Sequence, residues 1–141
     1  MFAKDIAESD FIALSRNTNA LDTAKQMNER KHGFAIVVSR DGNAEGIVTE
    51  WDYLSKIVAE GRDPSKVRLE EIMTRDLVSV KASDGIDFVA KLMAEKGIRR
   101  VLVFDGSKIL GIITAKTILS RLEEYINKVS AQIARFQTPQ Q

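Results

Sequence analysis

The chain has 141 residues and a mass of 15.7 kDa, the size of one compact module, so a single unit rather than a multidomain machine is expected. Hydrophobic residues at 44%, charged residues at 29% and only 2 Pro and 8 Gly exclude a collagenous or low-complexity chain, while 21 basic against 20 acidic residues leave a net charge of +1, too weak a field to imply nucleic acid or a membrane surface as partner. The absence of Cys removes disulfides, zinc ribbons, iron–sulfur ligation and thiol nucleophiles, and with His32 as the only histidine a His-based zinc site has no raw material, so no metal is expected. No apolar run approaches the ~20 residues needed to span a bilayer, and Met1-Phe2-Ala3-Lys4-Asp5 lacks a signal-peptide apolar core, so the expected location is cytoplasmic.

The sequence repeats itself at an offset of about 66 residues. Asp10-Phe11-Ile12-Ala13-Leu14 falls on Asp76-Leu77-Val78-Ser79-Val80, and Ala24, Lys25, Met27 and Glu29 fall on Ala90, Lys91, Met93 and Glu95. After a one-residue gap, Gly46-Ile47-Val48-Thr49 meets Gly111-Ile112-Ile113-Thr114, and Leu54-Ser55 meets Leu119-Ser120.

In chain order, Phe11–Leu14 is strand-like, and Leu21, Ala24 and Met27 recur at helical spacing after the capping candidates Asn17 and Thr18. Strands at Phe34–Val38 and Glu45–Val48 flank Arg40-Asp41-Gly42-Asn43, a hairpin signal, and a helix over Trp51–Glu60 stops at Gly61 and Asp63-Pro64. The second copy offers a strand at Leu77–Val80, a helix from about Asp84 to Lys96, strands at Arg100–Phe104 and Ile109–Ile113 around Asp105-Gly106, and a helix from about Ala115. In that helix Ile118, Leu122, Ile126, Val129, Ile133 and Phe136 recur every three or four residues, a stripe of roughly five turns before Pro139. It either folds back over the module or packs on a second copy. Two half-modules of this size are individually marginal, and packing them about a pseudo-twofold axis creates two related clefts where small ligands can bind.

Gly46-Ile47-Val48-Thr49-Glu50-Trp51-Asp52 ends a strand and opens a helix, which sets the Thr49 hydroxyl and the Asp52 carboxylate beside unpaired helix amides. A carboxylate can accept both hydroxyls of a ribose; Thr49 and Asp52 also form a capping box that needs no ligand. Arg99 and Arg100 at the entrance of a strand are either solvated charges or planar forks for a polyphosphate, and their first-copy equivalents, Gly33 and Phe34, make the two clefts unequal. Trp51 is read as packing on a helix or a partner in preference to stacking on a ligand, His32 as a helix C-terminal residue, and Met27, Met73 and Met93 as core. Gly106 and Gly111 have phosphate-loop spacing, but Ile112-Ile113 stands where Lys-Ser/Thr is needed.

These residues resemble the paired cystathionine-β-synthase-type domains, the CBS domains or Bateman modules. The similarity covers nearly the whole chain and rests on the tandem repeat, on Glu71-Ile72-Met73-Thr74-Arg75-Asp76-Leu77-Val78-Ser79-Val80, on Lys96-Gly97-Ile98-Arg99-Arg100-Val101-Leu102-Val103, and on Gly46 to Leu54. It implies an α/β (α+β) fold, one CBS-pair module over 1–141, with βαββα repeats at 4–60 and 70–125 packed with pseudo-twofold symmetry and a C-terminal helix to about 136. It also implies a regulatory, non-catalytic module that binds adenine nucleotides (AMP, ADP or ATP) between the repeats and uses no catalytic cofactor. By position, Asp52 would hold the ribose, Thr49 would lie beside the ribose or phosphate, Arg99 and Arg100 would reach the phosphates, and Val78 and Ile47 would border the adenine. The second copy has Thr117 where the family's ribose-binding aspartate stands, so one stronger site per chain is expected. The alternatives are a structural or partner-binding assembly module, or a sensor of S-adenosylmethionine or NAD. A homodimer is expected from the stripe, a separate regulated protein is conceivable, and Glu123 and Glu124 interrupt the basic surface that nucleic acid would need.

Overall fold

The computed structural model describes residues 1–137, so Pro139 lies outside the described residues. Two three-stranded sheets of identical plan form the frame. In the first, β1 (Ala13–Leu14) runs parallel to β2 (Phe34–Val38), which pairs antiparallel with β3 (Ala44–Thr49); in the second, β4 (Ser79–Lys81), β5 (Arg100–Asp105) and β6 (Lys108–Thr114) repeat the order. Both hairpins turn at the expected Asp-Gly, with Gly42 and Gly106 at φ of 83° and 64°, a left-handed conformation glycine adopts without steric penalty. The crossovers are two helices of 11 residues, α2 (Ala20–Arg30) and α5 (Ile86–Lys96).

Several boundaries differ from the sequence pattern. Phe11 and Ile12 precede β1, and β4 begins at Ser79, although the carbonyls of Ile12 and Val78 already accept from the amides of Ile36 (2.8 Å) and Leu102 (3.0 Å) in the parallel neighbours. Helix α2 is capped by Asn19, whose side chain accepts from the amides of Leu21 and Asp22, rather than by Asn17 or Thr18. The helix opened by Thr49 is α-helical over Glu50–Tyr53 (α3) and widens into a π turn at Leu54–Val58, where Ala59 N–H reaches the Leu54 carbonyl.

The packing units are offset from the sequence repeats. Helix α1 (Ala3–Ile6) buries Ala3 and Ile6 among Val80, Val89, Met93, Val101, Val103 and Ile113 of the second copy. Helix α4 (Leu69–Ile72), which opens the second copy, buries Leu69 and Ile72 with Ala20, Val37, Val48 and Ile57 of the first. Each lead-in also extends the other copy's sheet. Glu8 exchanges two backbone hydrogen bonds with Ile112 (2.8 and 2.9 Å), and Thr74 does so with Ile47 (2.8 and 2.9 Å).

This crossing explains the repeated Gly-Ile-Val/Ile-Thr motif. A Cβ on Gly111 would lie 2.6 Å from the Glu8 carbonyl oxygen, and one on Gly46 would lie 2.8 Å from Met73 Sδ and 3.0 Å from the Thr74 carbonyl oxygen. Between the sheets, Phe34, Ile36, Leu102 and Ile112 form a shared core. The last helix, α6 (Ala115–Gln137), has 23 residues and is about 35 Å long. Only Thr117 of it is fully buried, and Leu119, Leu122, Tyr125, Ile126, Ile133 and Phe136 are exposed. Among the described residues no helix is long and apolar enough to cross a membrane.

Candidate functional site

Two clefts open between the halves, and their walls come from equivalent segments. The first, about 520 Å3, is bounded by the end of β3 (Ile47, Thr49), by Trp51, by the lead-in Thr74–Val78 and by the entrance of β5, Gly97 to Leu102. Its lining combines the apolar residues Ile47, Leu77, Val78, Ile98 and Ile112 with Thr49 and Thr74, the acidic Asp76, and Arg99 and Arg100. A volume of this size suits a small organic ligand. The structure therefore brings together Ile47, Thr49, Val78, Arg99 and Arg100 around one cavity.

Asp52 stands behind that wall. Its side chain is only 5% exposed, and both oxygens are occupied. One accepts from the Thr49 amide (2.9 Å) and hydroxyl (3.3 Å); the other accepts from the Thr74 hydroxyl (3.3 Å) and from Lys56 Nζ (2.8 Å). Lys56 in turn donates to the Ile72 carbonyl (2.8 Å). The capping box is thus formed, and it does a second thing: the carboxylate holds the hydroxyls of two threonines, from different repeats, that both line the cavity.

The second cleft, about 430 Å3, is bounded by Glu8, Asp10, Lys31 to Phe34, Thr114 to Thr117, Ser120, Arg121 and Glu124, and again by Arg99 and Arg100. Here the acid and the alcohol have changed places. Thr117 stands where Asp52 stands, and Glu8 where Thr74 stands; the Thr117 hydroxyl donates to Glu8 Oε1 (2.8 Å) and lies 2.8 Å from the Thr114 hydroxyl. The second cleft keeps a carboxylate–hydroxyl pair, now supplied from the exposed lead-in side.

Arg100 lies between the clefts. Its guanidinium carbon sits 5.1 Å from the centre of the Phe34 ring, and one nitrogen is 3.7 Å from Glu50 Oε1. Burial lowers its pKa from the ordinary arginine value, Glu50 opposes that fall and Arg99 adds to it. Trp51 is 69% exposed and forms one lip of the first cleft, so it is neither packed in the helix interface nor enclosed. His32 closes α2 by donating its backbone N–H to the Met27 carbonyl (2.9 Å), and its ring stacks on Phe34 with a buried Nδ1 that has no hydrogen-bond partner. Met27, Met73 and Met93 are core residues. Among the described residues no group of three His, Asp or Glu is placed to hold a metal ion.

Sequence reasoning passed over Thr74, Leu77, Ile98 and Glu8. The signal for the two hydroxyl-and-acid residues was present, since Glu8 and Thr74 are equivalents at the 66-residue offset, but only the crossing of the lead-ins makes them wall residues.

The sequence profile of the CBS domain matches this chain twice, over residues 3–59 and 69–124. An uncharacterized protein of Methanopyrus kandleri is 31% identical over 134 residues, covering 94% of this chain and 68% of the relative. Among solved structures, the hexameric CBS-CP12 protein from bloom-forming cyanobacteria is 36% identical with a TM-score of 0.75, covering 84% of this chain and 69% of that one. The CBS domain pair of protein MJ0100 in complex with 5′-methylthioadenosine and S-adenosyl-L-methionine is 30% identical with a TM-score of 0.75, covering 88% and 96%. The chain spans only 22% to 24% of the length of the enzymes it matches. A tandem CBS pair is a regulatory ligand-binding module. With both copies matched and the two-sheet plan shared, the chain belongs to the CBS domain family.

Proposed function

We propose that the protein is a non-catalytic sensor that binds an adenosyl ligand, and in particular an adenine nucleotide such as AMP, ADP or ATP, in the first cleft. The observation that carries this reading is the lining of one cavity, which joins apolar residues, two threonines and two arginines, with Asp76 as its one acidic residue. The slot between Val78, Ile98 and Ile47 suits a flat base, and the Thr49 and Thr74 hydroxyls, held by Asp52, suit a ribose. Arg99 and Arg100 suit phosphate oxygens. Asp52 itself reaches a ribose only if a threonine hydroxyl turns aside, so its role is to orient first and to accept second. A complex of the similar MJ0100 pair with two adenosyl compounds supports the wider ligand class.

Mass spectrometry of small molecules released by denaturing the purified protein tests the reading, followed by calorimetric titration. An adenosyl compound bound near one per chain, and weakened ten-fold or more by Asp52→Ala, is the expected result. A ligand without an adenosyl group, or none together with no heat from ATP or 5′-methylthioadenosine, would overturn it.

The sensor would act as a homodimer through α6. Leu119, Leu122, Ile126, Val129, Ile133 and Phe136 are spaced three and four residues apart, the spacing of a helix-pairing seam. Truncation after Ser120 should lower the solution mass to that of one chain, and a truncated chain that stays dimeric counts against this seam.

A further inference from the structure

The 66-residue offset that relates the copies makes Phe34 and Arg100 equivalents, and these two side chains touch each other. Equivalent residues in mutual contact straddle a pseudo-twofold axis. A long cationic side chain at such a place faces both clefts, and Arg100, with Arg99 beside it, borders both cavities. The first copy has Gly33 and Phe34 at the matching positions and supplies no guanidinium in return. Even the missing side chain at Gly33 is used: a Cβ there would lie 2.0 Å from Glu50 Oε1 and 3.0 Å from Arg100 Nη2, so the glycine gives the Glu50–Arg100 pair its room.

Resting on the adenosyl reading above, we infer that the two clefts share one pair of phosphate-binding arginines, so that a phosphorylated ligand in one cleft weakens a phosphorylated ligand in the other while leaving an uncharged adenosyl ligand there unaffected. A phosphate chain in the first cleft draws Arg100 away from Phe34 and neutralises it. The second cleft then keeps Lys31, Lys116 and Arg121 as cations, against Glu8, Asp10 and Glu124. Its gain from binding phosphate falls, and a second polyanion would also face the charge of the first. Because binding coupling is reciprocal, the weakening is the same in either order of addition.

The test is calorimetric titration of the 141-residue chain with ATP and with 5′-methylthioadenosine, with fluorescence of Trp51 reporting the first cleft, since it is the only tryptophan of the sequence and lines that cleft. With the first cleft filled by ATP, the second ATP should bind at least ten-fold more weakly than to the empty protein after statistical correction, while 5′-methylthioadenosine binds the same complex within two-fold of its affinity for the second cleft of the ATP-free protein. Arg100→Gln should weaken the first ATP and close most of the gap to the second. Equal gaps for ATP and 5′-methylthioadenosine, or a gap unchanged by Arg100→Gln, would overturn the sharing and leave the adenosyl reading standing. Absence of heat from both ligands would overturn both.

Discussion

The two clefts are built from the same pieces in the same order, and they differ in where each keeps its acid. In the first, the acid is Asp52 on a helix, nearly sealed and tied to Lys56, Thr49 and Thr74; in the second, it is Glu8 on an exposed lead-in, bound to Thr117. The contact between an acid and an alcohol survives while the residues that make it exchange positions. What the geometry requires is the hydrogen bond across the seam between lead-in and helix. Which partner carries the charge decides whether the paired acid stands behind the lining, as Asp52 does in the first cleft, or is itself a lining residue, as Glu8 is in the second.

The comparison breaks most severely at the glycines of the crossing. Gly111→Ala sets a methyl group 2.6 Å from a backbone oxygen, whereas Gly46→Ala sets one 2.8 Å from Met73 Sδ, a side chain that can give more readily, and a less severe 3.0 Å from the Thr74 carbonyl oxygen. Urea unfolding should therefore report a loss of about 2–3 kcal/mol for Gly111→Ala and less than half of that for Gly46→Ala. Equal losses would mean that the two lead-ins are held with equal rigidity.

Removing the acids comes next. Asp52→Ala leaves Lys56 with the Ile72 carbonyl alone and takes the acceptor from the Thr49 and Thr74 hydroxyls, and should destabilise by about 1.5–3 kcal/mol. Glu8→Ala leaves a half-open cleft that water can enter, and should change stability by about 0.5–1 kcal/mol. A Glu8→Ala loss as large as that of Asp52→Ala would show that exposure does not separate them.

A third contrast is alkaline. Burial pushes the Tyr53 phenol up to about 12, with a smaller opposing effect from Thr23; its hydroxyl donates to the Ala20 carbonyl (2.6 Å), while the equivalent position in the second copy is Ile118. A phenol raised in the folded state stabilises fully below pH 10, and this stability is lost as pH rises from 10 through 12, because the unfolded chain releases the proton first. The fall should be about 1–2 kcal/mol after allowance for partial exposure, and Tyr53→Phe should flatten it. Stability curves of wild type and variant between pH 9 and 12 check the sign.

The smallest difference lies at the crossover helices. Asn19→Ala removes the side-chain cap of α2 and should destabilise by about 1 kcal/mol, whereas Gly85→Ala at the start of α5, where no side-chain cap exists and the added methyl displaces only the movable Asp87 carboxylate, should cost less, about 0.5 kcal/mol. Thermal unfolding of the two single variants is sufficient.

How much of this was legible depended on how local each cause was. The hairpins could be read because Asp41-Gly42 and Asp105-Gly106 carry their own turn geometry, and the crossover helices because Met27 and Met93 sit in an apolar period. The capping box at Thr49 and Asp52 was legible for the same reason, and the structure adds to it the link to Thr74, twenty-two residues further on. Exchange of the lead-ins could not be read: α1 and α4 each offer two buried apolar residues, and nothing local in their sequences names the sheet they pack on. Arg100 was aligned with Phe34 from the start, yet an alignment of repeats pairs equivalents without saying whether they meet in space.

The crossed lead-ins also set a schedule for the chain as it leaves a ribosome. Ala3 and Ile6 emerge early, but the residues that cover them, Val80 to Ile113, are made later than the whole first sheet. The first half can close once Leu69 and Ile72 arrive, with α1 still uncovered beside it. A pause in synthesis between about Met73 and Val80 would therefore yield a closed half carrying a short apolar helix with nowhere to dock, the kind of surface that captures chaperones or another nascent chain. Contacts that join residues roughly 75 to 110 positions apart add loop-closure cost to this final closure.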